Sequence, residues 1–189
     1  MIATVSLQRE AGATPQNLAA LRSVLIGAST YSTLVTGSAS DGSTAEAIFS
    51  ERPPGTAAGQ KYVFGIRLAG ETIGCLDAIR GWPQAATCHI GLLLLDERYQ
   101  RRGYGREAMR LLCDQIVRWG DINTLRIGVV ASNTPAFPFW RAMGFADTGE
   151  RKSHPAFTSD VVIMTVPLRD ATTATHHPGS GPARSSSLR

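Results

Sequence analysis

Leu18, Leu21, Val24 and Leu25 fall on one face at helical spacing, and Thr14 followed by Pro15 marks the start of that helix. A short strand is expected over residues 5–8. The first third of the chain is thus read as helical, broken by a loop over 37–42, with a short helical stretch near Glu46. Pro53, Pro54 and Gly55 then punctuate the chain before a sheet begins. From Lys61 the pattern changes. Residues 61–68 and 72–79, separated by Ala69-Gly70-Glu71, predict a β-hairpin. Residues 88–95 form a nearly unbroken apolar run, the pattern of a strand covered on both faces, which places it mid-sheet. Over 103–119, Met109, Leu112, Cys113, Ile116 and Trp119 recur at helical spacing until Gly120-Asp121 closes the segment. A buried strand over 125–130, a helix over 135–143, and a strand from Phe145 pairing with 161–167 complete the order β-β-β-α-β-α-β-β from Lys61.

Beyond Leu168 the chain turns to Thr, His, Pro, Gly and Ser. Such a segment lacks the apolar surface to offset its ordering entropy, so residues 169–189 are expected to be a disordered tail after a single domain over 1–168. The adjacent His176 and His177 are read as solvated tail residues, with no metal site expected anywhere in the chain. The formal charge of +4 raises the question of nucleic acid, but the one arginine cluster, Arg98, Arg101, Arg102 and Arg106, is too local for a groove-filling face and has no aromatic platform beside it. Cys75, Cys88 and Cys113 are odd in number and lack CxxC spacing, which argues against a disulfide framework and a zinc site and for free thiols in the cytoplasm. Arg22 interrupts the only apolar stretch near the start that could be a signal sequence, and no stretch is long enough to span a membrane.

The chemistry concentrates in Gln100-Arg101-Arg102-Gly103-Tyr104-Gly105-Arg106, between the apolar strand and the amphipathic helix. A glycine-bearing loop that opens a helix is an anion site: its first N–H groups have no intrahelical acceptor, and the helix dipole favours negative charge. Three arginines crowd that same helix start, which is unfavourable unless an anionic ligand is bound there. The plain alternative is a solvated glycine turn. Gly103, Gly105 and Ala108 also fit G-x-G-x-x-A, the fingerprint of a dinucleotide-binding oxidoreductase. Residues 96–102 separate the first glycine from its strand, however, and no acidic residue ends the next strand at Val129-Val130. A Walker loop is excluded by the missing Gly-Lys-Ser/Thr.

Gln-x-x-Gly-x-Gly after an apolar strand resembles the acetyl-coenzyme A signature of the GNAT N-acetyltransferase superfamily. A second segment, Asn133-Thr-Pro-Ala136-Phe-Pro-Phe139-Trp140-Arg-Ala-Met-Gly144-Phe145, is similar to that family's Asn-x-x-Ala-x-x-Phe-Tyr-x-x-x-Gly-Phe motif and follows a strand in the same order. The resemblance spans roughly 61–168. It implies an α/β (α+β) fold with a central mixed, mostly antiparallel sheet, flanked by helices and splayed at the acyl-CoA site. It further implies that the loop residues Gln100, Arg101, Arg102, Gly103, Tyr104, Gly105 and Arg106 hold acetyl-CoA by its pyrophosphate. Leu93 and Leu95 would meet the pantetheine arm, with the Leu95 N–H as oxyanion donor. Asn133 is either a cofactor contact or a helix cap, and the two are compatible.

Trp140 departs from the family pattern, standing where many members have a tyrosine that protonates the leaving thiolate; an indole N–H is a very poor acid. Protonation by water, help from Tyr104 or Tyr99, and departure without an acid remain, and the last is favoured because a thiolate is a tolerable leaving group. For the general base, His89 lies eleven positions before Gln100, where histone-acetylating members place a glutamate, and imidazole titrates in a suitable range; a hydrogen-bonded strand histidine is its alternative. Asp77 is the second candidate, as base or as a partner for a substrate ammonium. The activity so implied is direct acetyl transfer from acetyl-CoA to the amine of a small molecule or peptide. A non-catalytic acyl-CoA-binding module is the rival. A homodimer, common in the family, receives no independent support from the sequence.

Overall fold

A computed structural model describes residues 4–176 of the 189. Strand β1 (Val5–Arg9) leads to helices α1 (Pro15–Ile26), α2 (Ser29–Thr36) and α3 (Ala45–Ser50). Strands β2 (Lys61–Leu68), β3 (Glu71–Arg80) and β4 (Thr87–Leu95) follow, then α4 (Tyr104–Trp119), β5 (Thr124–Val130) and α5 (Ala136–Ala142). The described chain closes with β6 (Ala146–Lys152), β7 (Val161–Pro167) and α6 (Leu168–His176). The seven strands form one sheet in the order β1-β2-β3-β4-β5-β7-β6, antiparallel throughout except for the parallel pair β4–β5. The expected mixed, mostly antiparallel sheet flanked by helices is therefore observed, and β4 does lie mid-sheet. A doubly wound dinucleotide fold would require a largely parallel sheet.

Each face of the sheet buries its own cluster. Leu76 and Ala78 of β3 point to the α4 side, where Met109, Leu112, Cys113 and Ile116 are fully buried, while Cys75 points to the α1 side and meets Leu21, Val24 and Leu25. The period-two alternation of a strand thus serves two helical layers. Helix α1 starts as its sequence dictates: Thr14 Oγ1 accepts from the Asn17 N–H at 3.2 Å, and Pro15 occupies the first turn.

The expected tail from residue 169 is corrected by α6. That helix packs on α4 with Leu168, Ala171 and Thr175 buried, a stripe at helical spacing built from mostly small side chains. Its threonines return their hydroxyls to the helix's own carbonyls, Thr172 Oγ1 to Leu168 O at 2.9 Å and Thr175 Oγ1 to Thr172 O at 2.9 Å. Small residues allow close approach between the two helices, so little apolar surface suffices. Residues 177–189, and His177 with them, lie outside the described residues.

Two features position the site. In the β3–β4 ladder Asp77 faces Leu92 and Ala78 faces Ile90, so Gly91 is an extra residue on β4, a bulge. On the other side β4 pairs with β5 only from Thr87↔Thr124 to Ile90↔Ile127. Beyond that rung the strands part, and residues 91–95 face 128–130 across a gap. This is the expected splay.

Candidate functional site

The gap between the parted strands is a cavity of about 680 Å³ that passes through the sheet. Its walls are Gly91 to Leu95 on β4 and Gly128 to Val130 on β5, with Tyr31 and Leu34 of α2 on one side and Phe139 and Trp140 of α5 on the other. With no strand partner across the gap, alternate backbone N–H and C=O groups of β4 turn into the cavity.

The glycine loop forms the cavity's mouth. Arg101 (φ 58°) and Gly103 (φ 84°) both adopt the left-handed conformation and curl the chain into α4. Glycine adopts it freely, whereas at Arg101 it is a strained geometry of the kind concentrated at binding sites. No side chain caps α4 at Gly103, so the first N–H groups of this 16-residue helix stay open for an anion. Gln100 Nε2 donates to Leu95 O at 2.9 Å and ties the loop back to β4. The Asp96 carboxylate, buried and held below its usual range by Arg98, anchors the same turn. Glu97 Oε1 accepts from the Thr30 N–H at 2.7 Å and fastens the start of α2 over the cleft.

Of the residues assigned from the motifs, Leu93, Leu95, Gln100, Arg101, Gly103, Gly105, Arg106, Asn133 and Trp140 all line this one cavity. Arg106 Nη1 is also committed to Ala174 O of α6 at 2.8 Å, and a brace to that helix was not foreseen. Arg102 is exposed and Tyr104 packs against the core; neither lines the cavity. Helix α5 has no side-chain cap: the Ala136 N–H bonds the Asn133 backbone carbonyl, so the Asn133 side chain is not used for capping.

On the α1 side of the sheet, Asp77 lies against the bulge, where a Cβ added to Gly91 would sit 3.1 Å from Asp77 Oδ2. Asp77 Oδ2 accepts from Lys61 Nζ at 2.8 Å, whereas Oδ1 is buried with no hydrogen-bond partner. Burial pushes the Asp77 carboxyl above its ordinary range despite the lysine. His89 lies on the same face, and neither it nor Asp77 is among the cavity-lining residues. Its Nδ1 accepts from Arg126 Nη1 at 3.2 Å, which leaves its proton on Nε2, and Trp82 packs edge-on against the ring. Burial, and then the Arg126 charge, drive its pKa down to about 3. The expectation that this imidazole titrates near neutrality is thereby corrected: a base that weak accepts a proton poorly from an ammonium.

Sequence reasoning missed α2 as a cavity wall, and it missed Arg126. The signal for Arg126 was present, a lone charge in the otherwise apolar run from Leu125 to Val130. The three cysteines are buried, and burial pushes each thiol up to about 12, which leaves them inert as nucleophiles. Among the described residues no cluster of potential metal ligands occurs, and no single helix is long and apolar enough to cross a membrane.

The sheet is thus splayed, and its fork opens onto an uncapped, glycine-opened helix. A family model described as the acetyltransferase (GNAT) family matches residues 36–145, and the chain belongs to that family. It is 32% identical over 79 residues to the ribosomal protein bS18-alanine N-acetyltransferase of Escherichia coli K12, covering 40% of this chain and 53% of the relative. The chain thus spans about half the length of the curated relatives it matches. The structure is similar to that of an acetyltransferase from Thermus thermophilus, with TM-score 0.64 and 25% identity over 87% of this chain and 97% of the other. It also shares its fold with an aminoglycoside acetyltransferase solved with coenzyme A, with TM-score 0.67 and 18% identity over 92% of this chain and all of the other.

Proposed function

We propose that this chain transfers an acetyl group from acetyl-CoA directly to a primary amine within a ternary complex. The observation that carries the reading is the joining of two features in one cavity: the fork between β4 and β5, and the uncapped start of α4 at its mouth. The N–H groups opening α4, with Arg101 beside them, suit a pyrophosphate, and the unpaired backbone of β4 suits the amide-bearing arm. Asn133 and Trp140 form the wall along which that arm would run.

The amine would approach from the α1 side. Asp77 Oδ1, unpartnered beside Gly91, is the acceptor placed to take its hydrogen bond and then its proton, and the raised pKa of this carboxyl suits a base. Asp77 therefore replaces His89 as our assignment. As the N–C bond forms and the C–S bond breaks, the amine proton passes to Asp77 and coenzyme A departs as the thiolate. The buried, high-pKa cysteines favour this direct route over one through an acyl-enzyme. The acceptor is a small-molecule or peptide amine; the curated relative acts on a protein alanine.

Calorimetric titration with acetyl-CoA, beside NADH as control, tests the donor site; thiol release over a panel of amines tests the transfer. Binding of acetyl-CoA alone is expected, and its absence would overturn the reading. The absence of a tyrosine at Trp140 favours one rival, a module that holds acyl-CoA without transfer: tight donor binding with no thiol release from any amine would establish it.

A further inference from the structure

Arg126 is the most deeply buried arginine that forms an ion pair among the described residues, and its pair is the poorest. Its side chain is 7% exposed and its nearest carboxylate, Glu150 Oε1, stands 3.8 Å away. Arg80, Arg98, Arg110 and Arg151, all more exposed, hold carboxylates at 2.6 to 2.8 Å. Glu150 is itself 47% exposed and shared with Lys152 Nζ at 3.2 Å. The remaining neighbours of Arg126 carry no negative charge: neutral His89 accepts one N–H, and Trp82 lies under the guanidinium with 5.0 Å from Cζ to the ring centroid. A buried cation with five donors ordinarily requires a close anion. Here that requirement is left open at one side.

The place matters as much as the deficit. The rung His89↔Arg126 is the last but one before the strands part at Ile90↔Ile127. Two residues further along the same face stand Gly91 and Gly128, both exposed and without side chains to block the floor, with the Asp77 carboxylate adjoining Gly91. Two residues of strand rise correspond to about 7 Å.

Resting on the transferase reading, we propose that Arg126, backed by Trp82 and His89, is a carboxylate seat for the acceptor. The substrate class is then a primary amine carrying a carboxylate about 7 Å away, the amine over Gly91 beside Asp77 and the carboxylate on Arg126 in place of Glu150. An ω-amino acid and a peptide amine followed by an acidic side chain share this chemistry. Arg126 would discriminate by what it binds, since a site built for a charged hydrogen-bonding group rejects the analogue that lacks it.

The test compares kcat/KM, by thiol release, for 5-aminopentanoate and 4-aminobutyrate against n-pentylamine and n-butylamine, with an Asp-second dipeptide against its Asn counterpart as the peptide arm. In the wild type the carboxylate partners are expected to be favoured by about ten- to a hundredfold, mostly through KM, as for one charged hydrogen-bonded contact. Arg126→Met should erase that preference. Should this variant not fold, exposed Glu150→Gln serves: removing the competing carboxylate should strengthen the preference several-fold. Equal kcat/KM for both classes in the wild type, a preference that survives Arg126→Met, or one unmoved by Glu150→Gln overturns the proposal and leaves acetyl transfer intact. If no amine releases thiol, the transferase reading fails instead, and calorimetric binding of 5-aminopentanoate against n-pentylamine still decides: binding of the former alone, lost in Arg126→Met, supports the seat, and its absence ends it.

Discussion

Lowering the pH from 7 to 5 should destabilise this protein by about 2 kcal/mol through His89 alone. The folded chain holds this imidazole neutral, half-buried between Trp82 and the Arg126 guanidinium, with a pKa of about 3 in place of about 6.5. The charges of Lys152 and Lys61 act in the same direction as Arg126. Below about pH 6.5 the unfolded chain therefore binds a proton that the folded chain refuses. The stability owed to the neutral ring is complete above that pH, is lost as pH falls, and is exhausted near 3. One and a half pH units below the unfolded value, at about 1.4 kcal/mol per unit, give about 2 kcal/mol at pH 5. Urea unfolding followed by tryptophan fluorescence at pH 7, 6 and 5 measures it, with His89→Gln as reference because the amide oxygen keeps an acceptor for Arg126 and does not titrate. The variant's stability should fall by about 2 kcal/mol less than the wild type's over that range. Parallel curves would refute the burial of a neutral imidazole against Arg126, and with it the reason for setting His89 aside as the base.

Gly103→Asp puts a side chain at φ 84° and a carboxylate over the open N–H groups of α4; acetyl-CoA affinity should fall at least about tenfold by calorimetry with the circular dichroism spectrum unchanged, and unchanged affinity removes the cradle. Lys61→Met leaves Asp77 as an uncompensated buried carboxylate and should cost about 3–5 kcal/mol in urea unfolding. Where that variant is studied folded, the rising limb of its kcat/KM profile should move to higher pH, because the lysine lowers the Asp77 pKa; an unmoved limb would separate Asp77 from the chemistry. Ala171→Glu forces a charge into the fully buried α4–α6 contact and should destabilise by about 2 kcal/mol or more, whereas a change within about 0.5 kcal/mol would mean that α6 is not docked in solution.

What the sequence revealed depended on whether the information was contiguous. The hairpin of β2 and β3, the buried run of β4 and the amphipathic α4 each carry their own period, so order and type could be read directly. Helix α6 escaped because its buried stripe is written in alanine and threonine, which a search for large apolar side chains passes over, and α2, though it lies within the stretch read as helical, escaped as a cavity wall because Ser29 to Thr36 shows no strong face. The donor side of the site was legible for the same reason: Gln100 to Arg106 is one stretch whose backbone does the binding. The acceptor side is assembled by register. Lys61, Asp77, His89, Arg126 and Glu150 come from five strands, and neither the bulge at Gly91 nor the approach of Arg126 to His89 leaves a mark on any one segment. Their types could be noted beforehand; their partners, which decide that Asp77 is raised and His89 silenced, could not.

The same partners decide how the leaving group fares. Trp140 is buried, packed edge-on between Phe139 and Phe145, and serves the cavity as an apolar wall. Tyr99 and Tyr104, the tyrosines considered as substitutes for the missing acid, are otherwise placed. Tyr99 donates its hydroxyl to Glu71 Oε1 at 3.0 Å, a bond that raises its pKa, and it does not line the cavity. Tyr104 is turned against the core. Tyr31 does line the cavity, but burial and its nearness to Cys75 push it up to about 12, some three units above the thiol it would have to protonate. On the transferase reading, then, the site does not assist departure of sulfur, and a thiolate with a pKa of about 8.5 does not require it to. The demanding step is to deprotonate and hold the amine, and the unpartnered Asp77 oxygen and the underpaired Arg126 both lie on the side from which the amine must come.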